Sequence, residues 1–81
     1  MQVTVKLFAF LADQLGDAIQ VDVDNPVKVA DLFDQVARRA PTLKETLANS
    51  RLAVNQEFVN SPELSLHSDD EIAIIPPVSG G

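Results

Sequence analysis

Residues 29–40 read VADLFDQVARRA, and this stretch decides the fold. Its apolar residues recur at the i, i+3, i+4, i+7, i+8 and i+11 spacing that places them along one face of an α-helix. Acidic side chains lie in the early turns and basic side chains in the last turn, which suits the helix dipole. Pro41 stops the helix, whereas Lys28 stands where a capping Ser, Thr or Asp is usual. We therefore expect one long amphipathic helix that crosses one face of a sheet.

Two alternating stretches before this helix predict β-strands. In residues 2–9 and 19–23 apolar and polar side chains alternate, as they do in strands with one buried face. Phe8 shares the parity of the polar residues, so we expect it on the face away from the core. A short helical turn over residues 10–15, closed by Gly16, is predicted to connect the two strands.

Shorter elements follow the main helix. The pattern predicts a short helix at 43–47, strands at 52–54 and 58–59 around a tight turn at 55–57, and a last strand at 71–75. In the last strand Ile72 and Ile74 share one face, and Ala73 and Ile75 share the other. This order is the plan of the α+β β-grasp fold, with a mixed sheet packed against one main helix.

The last six residues, 76–81, read PPVSGG. Frayed ends are the usual fate of terminal residues, but both prolines restrict φ and hold this segment extended. Two terminal glycines offer an α-carboxylate on a thin, unbranched stalk that suits a narrow channel. We therefore predict a single ubiquitin-like domain over residues 1–75 and an extended reactive tail over 76–81.

Composition and charge exclude several classes of function. The chain has 12 acidic and 6 basic residues, so it lacks the basic stripe that binds nucleic acid. It has no cysteine, and its one histidine, His67, lies in a polar turn, so we expect no metal site. No apolar run approaches the roughly 20 residues of a membrane span, which makes the cytoplasm the expected location. Phosphate loops and nucleophile motifs are absent from the sequence.

Four segments resemble the small, sulfur-carrying subunit of molybdopterin synthase. They are residues 53–59 (AVNQEFV), residues 66–71 (LHSDDE), residues 75–81 (IPPVSGG) and residues 7–9 (LFA). The ending is the most specific of the four, and the opening segment is weak alone. Two positions depart from the family pattern: Asp69 stands where a glycine is usual, and Lys28 replaces the Thr or Ser common before the main helix. Neither departure touches the chemistry of the family.

The resemblance implies a sulfur carrier in molybdenum cofactor biosynthesis. In the family a partner enzyme consumes ATP to adenylate the terminal glycine, which becomes a thiocarboxylate and gives its sulfur to cyclic pyranopterin monophosphate. Gly81 would then bear the sulfur and Gly80 would supply the steric allowance beside it. The residues that thread the channel of the large subunit would be Pro76, Pro77, Val78 and Ser79. The chain would bind no cofactor and would not be an enzyme on its own.

The resemblance also implies partners. These are the large catalytic subunit of molybdopterin synthase, in a heterotetramer of two small and two large subunits, an adenylating enzyme, and a sulfur donor such as a cysteine desulfurase or rhodanese. Strand parity gives candidates for the docking surface. Phe8, Phe58 and Ile75 form an exposed apolar patch beside the tail if neighbouring strands align them.

Other interpretations of the tail stay open at this point. Carriers for thiamin thiazole synthesis, tRNA thiolation or cysteine synthesis share the same chemistry in other pathways. A ubiquitin-like modifier would instead join its terminal glycine to lysines of other proteins. A plain interaction module with an inert tail would use neither reaction.

Overall fold

The computed structural model describes residues 1–77 of the chain. The predictions for Val78, Ser79, Gly80 and Gly81 therefore lie outside the described residues. The elements, in order, are β1 (Gln2–Leu7), α1 (Ala9–Leu15), β2 (Ala18–Asp22), β3 (Val27–Lys28), α2 (Val29–Arg39), a 3₁₀ turn (Pro41–Leu43), α3 (Lys44–Ala48), β4 (Arg51–Val54), β5 (Glu57–Phe58), β6 (Glu63–Leu64) and β7 (Ile72–Ile75).

Five strands form a mixed sheet in the order β2-β1-β7-β4-β5. The central strand, β7, runs parallel to its neighbour β1, whereas the other neighbouring strands are antiparallel. A parallel pair needs a crossover, and the intervening helices supply it. The alternation predicted for the first strand is confirmed, because its apolar side chains are buried and its polar ones are exposed.

The core lies between the inner face of this sheet and α2. Leu32 and Val36 of α2 are fully buried against apolar side chains of the central strands, including Val5 and Ile74. Leu66, from the loop before β7, is also fully buried, whereas Leu64 is only partly buried. The side chain of Asn25 anchors that loop, because it hydrogen-bonds both the backbone N–H and the carbonyl of Leu66, at 2.8 and 2.7 Å.

The main helix forms as predicted, with small differences at its ends. Lys28 makes no capping hydrogen bond with its side chain, and the N–H of Val29 instead donates to the carbonyl of Pro62 at 2.9 Å. Asp34 and Arg38 form an i,i+4 ion pair at 2.8 Å on the exposed side. The helix ends at Arg39, one residue before the apolar pattern ends, because the residue preceding a proline avoids the α conformation.

Several element boundaries differ from those predicted by one or two residues. β1 ends at Leu7 because Ala9 takes a positive φ of 53° and starts α1 immediately afterwards. β2 ends at Asp22, so Val23 is buried but lies outside the strand. The predicted turn at 55–57 is a two-residue turn, in which only Asn55 and Gln56 lie between the paired strands. A two-stranded sheet of β3 and β6 was not predicted from the sequence.

Candidate functional site: the outer sheet face beside the tail

The C-terminal segment leaves the middle of the sheet. β7 lies between β1 and β4, and its last residue is Ile75. Pro76, directly after it, is partly buried, and Pro77 is exposed. The tail therefore begins at the end of a central strand, with neighbouring strands on both sides of its root.

Strand register gathers the predicted apolar residues on one face of the sheet, the face opposite α2. Ala53 pairs with Phe58 on one side and with Ala73 on the other, so these three form a row across the sheet. Ile75 is two residues beyond Ala73 on the same face, and Phe8 lies opposite Ile75 when the β1–β7 register is extended by one residue. We call these five residues the outer face.

The outer face is apolar and accessible at the positions named from the sequence. Phe8 is 45% exposed and Phe58 is 50% exposed, whereas Ile75 is partly buried. Phe8 and Phe58 lie toward opposite sides of this face, with β7 and β4 between them. Exposed apolar side chains that share one sheet face are typical of protein interfaces. The structure thus brings the three residues onto one surface, and their role in binding a partner stays a prediction.

Two basic side chains lie on the same side of the sheet as the outer face, and neither was predicted from the sequence to belong to the site. The guanidinium of Arg51 lies 3.9 Å from the centre of the Phe58 ring, and its Nη2 donates to Asn60 Oδ1 at 3.2 Å. Lys6 lies beside Ala73 and pairs with Glu71, with 3.7 Å between its Nζ and a carboxylate oxygen. Arg51 was missed because the strand was predicted to start at Leu52. A start one residue earlier would have placed Arg51 on the same face as Ala53.

Phe10, on α1, is another exposed aromatic that the sequence analysis did not assign. It is 53% exposed, more than either Phe8 or Phe58. It lies on a seven-residue helix with one buried residue, Leu11. A period-based signal is weak over so short an element, since two turns of helix give too few positions to define a face.

A hydrogen-bond network, which we call the Asn55 clasp, joins the β4–β5 turn to the loop before β7. The Asn55 side chain donates from Nδ2 to Asp70 Oδ1 at 3.1 Å and accepts from the Glu71 N–H at 2.9 Å. The Asn55 backbone N–H also donates to the Glu71 carbonyl at 2.7 Å. The clasp therefore connects residues 53–59 and 66–71, two of the segments that carry the family resemblance.

Asp70 is the charged acceptor of this network, and its pKa is displaced. The pKa of its carboxyl lies below the ordinary value, chiefly because the His67 N–H donates to Oδ2 at 2.8 Å and also because Asn55 donates to Oδ1. Hydrogen bonds of this kind stabilise the charged form of a carboxyl group. Asp70 therefore acts here as an anionic acceptor that fixes the loop.

Within residues 1–77 the acidic and histidine side chains do not form a group of three that could hold a metal ion. No helix there is long and apolar enough to cross a bilayer.

The fold and this face define a small ubiquitin-like β-grasp domain that presents an apolar surface beside its C-terminal segment. Comparison with known families then makes the assignment specific. The chain belongs to the ThiS family, whose model matches residues 5–81.

Two curated relatives are similar along almost the whole chain, and both are molybdopterin synthase sulfur carrier subunits. The relative from Dictyostelium discoideum is 39% identical, and its alignment covers 99% of this chain and 96% of the relative. The relative from Homo sapiens is 36% identical, and its alignment covers 99% of this chain and 94% of the relative. The resemblance inferred from the four sequence segments is therefore confirmed.

Solved structures show the same fold. SAMP1 of Haloferax volcanii, a small archaeal modifier protein, superposes with a TM-score of 0.76 at 30% identity and covers all of both chains. A chain of the complex of subunits 1 and 2 of molybdopterin-converting factor from Helicobacter pylori also covers all of both chains, with a TM-score of 0.69 at 23% identity. The predicted β-grasp class is thus confirmed.

Proposed function

We propose that this chain is the sulfur carrier subunit of a molybdopterin synthase and that Gly81 bears the transferred sulfur. The observation that carries the proposal is the extent of the similarity. The family model reaches residue 81, and curated relatives with this role align with 99% of the chain. The ending PPVSGG, which supplies the terminal glycine, falls inside the matched region.

The proposed chemistry starts from a carboxylate, which is a poor electrophile because its leaving group would be oxide. A separate adenylating enzyme would join the Gly81 carboxylate to AMP from ATP and release pyrophosphate. The persulfide of a donor protein, such as a cysteine desulfurase or rhodanese, would then displace AMP and form an acyl disulfide with Gly81. A thiol would cleave that disulfide, forming a new disulfide with the donor cysteine and releasing the Gly81 thiocarboxylate. The resulting thiocarboxylate is ionised at neutral pH and attacks the pyranopterin substrate. ATP is consumed by the activating enzyme in this scheme, and the carrier itself holds no cofactor.

The outer face would hold the large synthase subunit while the tail enters its active site. Pro76 to Gly81 span at most roughly 20 Å when extended, which lets the glycine reach a recessed pocket while the domain stays outside. Ordering a free backbone costs about 1–2 kcal/mol per residue, and the two prolines lower that cost by restricting the unbound tail. We place this assembly, two small and two large subunits, in the cytoplasm.

A ubiquitin-like modifier is the second candidate function, and the similarity to SAMP1 favours it. Activation of the glycine would be the same in both cases. The difference lies in the acceptor, because a modifier forms an isopeptide bond with a lysine amine and a carrier forms a thiocarboxylate. Sulfur carriers of thiamin thiazole synthesis, tRNA thiolation or cysteine synthesis would share the thiocarboxylate and differ in the final acceptor.

Moving the terminal carboxylate tests the proposal. Deleting Gly81, or adding one uncleaved residue after it, is expected to abolish molybdopterin synthesis in a reconstituted system with the large subunit. Binding of the large subunit through the outer face and thermal melting are the controls, and neither should change greatly. An extended chain that still supports synthesis would contradict the role of Gly81.

A further inference from the structure

We propose that Arg51 selects partner proteins that place an aspartate or glutamate carboxylate against the outer face at the root of the tail. The inference rests on the proposed function, in which this face docks onto the large synthase subunit. It adds the chemistry that the partner surface must present there. Strand register brings Arg51, the residue that would determine this specificity, to the site.

The contacts of the Arg51 guanidinium orient it for a bidentate contact with a carboxylate. Its guanidinium stacks 3.9 Å from the centre of the Phe58 ring, and one Nη2 contact to Asn60 Oδ1, at 3.2 Å, fixes the plane. A guanidinium has five N–H donors in a rigid fork, so one such bond leaves most of them available. Because the side chain is already ordered, a carboxylate that binds it loses little additional conformational freedom.

The position of Arg51 is central to the apolar patch. It pairs with Ile75, the last residue before the tail, and it is the diagonal neighbour of Phe58 through the Ala53–Phe58 pair. Any partner that covers Phe58 and Ile75 therefore also covers the guanidinium. Removing a guanidinium from water is unfavourable unless an acceptor replaces the lost hydration.

The described part of the chain does not provide that acceptor as a carboxylate. The three ion pairs of residues 1–77 join the N-terminal amine with Asp22, Lys6 with Glu71, and Asp34 with Arg38. Lys6, on the same face, thus has an internal counter-charge, whereas Arg51 has only the amide oxygen of Asn60. A complementary partner must bring the negative charge, and a planar carboxylate matches the fork of an arginine.

Dissociation from the cognate large synthase subunit tests this inference. Arg51→Met keeps the length of the side chain and removes its charge, and Arg51→Lys keeps the charge and removes the fork. Arg38→Met is the matched control, because it changes the net charge equally from the exposed side of α2. The dissociation rate, measured for each full-length variant after a melting curve, is the readout. Loss of one partner of a buried charge pair appears mainly in that rate.

Arg51→Met is expected to speed dissociation by at least about tenfold, with Arg51→Lys in between and Arg38→Met unchanged. The loss should persist at high salt, because a buried pair is screened much less than an exposed one. If Arg51→Met behaves like Arg38→Met while Ile75→Asp still weakens binding, the inference about Arg51 is wrong and the outer face remains the docking surface. If Ile75→Asp and Arg51→Met both leave the dissociation rate unchanged, the assignment of the outer face as the docking surface is wrong as well.

Discussion

Ile75 is the residue at which the sheet ends and the proposed reactive segment begins. It shares the outer face with Phe8, and its pairing with Arg51 brings a basic group beside it. Three different strands thus meet at the root of the tail. The sequence alone placed Phe8 and Ile75 on the strand face away from the core, because the alternation of side chains in a strand is a local property. It could not supply Arg51 as their neighbour, since register between distant strands is a tertiary property.

Introducing a charge at the outer face tests its docking role. Phe8→Asp and Ile75→Asp are expected to weaken binding of the large subunit by more than about 2 kcal/mol, as for an anchor residue of an interface. Both should melt near the wild-type temperature, because neither side chain is fully buried. Titration calorimetry and thermal melting on the same preparations provide the two readouts.

Thr4→Asp is the control for these variants. Thr4 is exposed on the same face of β1 but pairs with Gln20, far along the strand from the tail root. It should bind as the wild type does. Loss of the cooperative melting transition in Phe8→Asp and Ile75→Asp would show that these side chains face the core and not the outer side of the sheet. Normal melting with normal binding would show that the patch is incidental.

At the scale of the element, the β4–β5 hairpin is held by its turn geometry and by a side-chain network. Asn55 and Gln56 both have positive φ, 52° and 69°, as a two-residue turn between twisted strands requires. The Asn55 clasp then fixes this turn against the loop before β7. The hairpin that carries Phe58 is therefore braced at its turn and through its strand pairing with Ala53.

Gln56→Gly is expected to raise the free energy of unfolding by a few tenths to about 1 kcal/mol. A left-handed conformation costs an ordinary residue about 1–2 kcal/mol, and the greater freedom of glycine in the unfolded chain offsets about 0.4–1 kcal/mol of that gain. Urea denaturation measures the difference. Gln56→Ala should give no gain, because alanine meets the same φ penalty. Equal stabilisation by both variants would argue against the turn geometry.

The Asn55 clasp also predicts that the effect of Asp70→Asn on the melting temperature depends on pH. Because the pKa of Asp70 is lowered in the folded state, its contribution to stability is complete above the unfolded value of about 3.9 and is lost as pH falls through the folded value. Asparagine has one side-chain oxygen and cannot replace both acceptors. The variant should therefore melt below the wild type at pH 7, and the gap should close in acid.

Asp69→Asn serves as the comparison, since that neighbouring side chain makes no hydrogen bond among the described residues. Its melting temperature should follow the wild type across the pH range more closely than that of Asp70→Asn. If the difference in melting temperature between the wild type and Asp70→Asn widens in acid, the role of Asp70 as an anionic acceptor is contradicted.

The elements differed in how well the sequence predicted them. The main helix was predicted almost to the residue, because eleven residues give a full apolar face and Pro41 ends it. β3 and β6 were missed, because two residues define no period and their pairing depends on distant chain segments. The turn was predicted one residue too long, since Glu57 is polar and exposed and nothing in its type distinguishes a turn from a short strand.

At the scale of the whole molecule, topology accounts for the position of the tail. The parallel pairing of β1 with β7 places the last strand in the middle of the sheet, so neighbours flank the tail root on both sides. The chain has a net charge of −6, and Arg51 and Lys6 place two basic groups on the side of the sheet that carries the outer face. The topology thus places the outer face and the start of the tail side by side in one small domain.

The intact mass of the chain after incubation with its adenylating enzyme, ATP and a sulfur donor tests the central claim most directly. The account predicts a mass gain equal to the difference between one sulfur and one oxygen atom, located by fragmentation at Gly81 and absent when ATP is omitted. Covalent adducts to lysines of other proteins, formed in place of that gain, would identify a modifier. An unchanged mass with an enzyme shown to be active on another carrier would contradict the sulfur-carrier account.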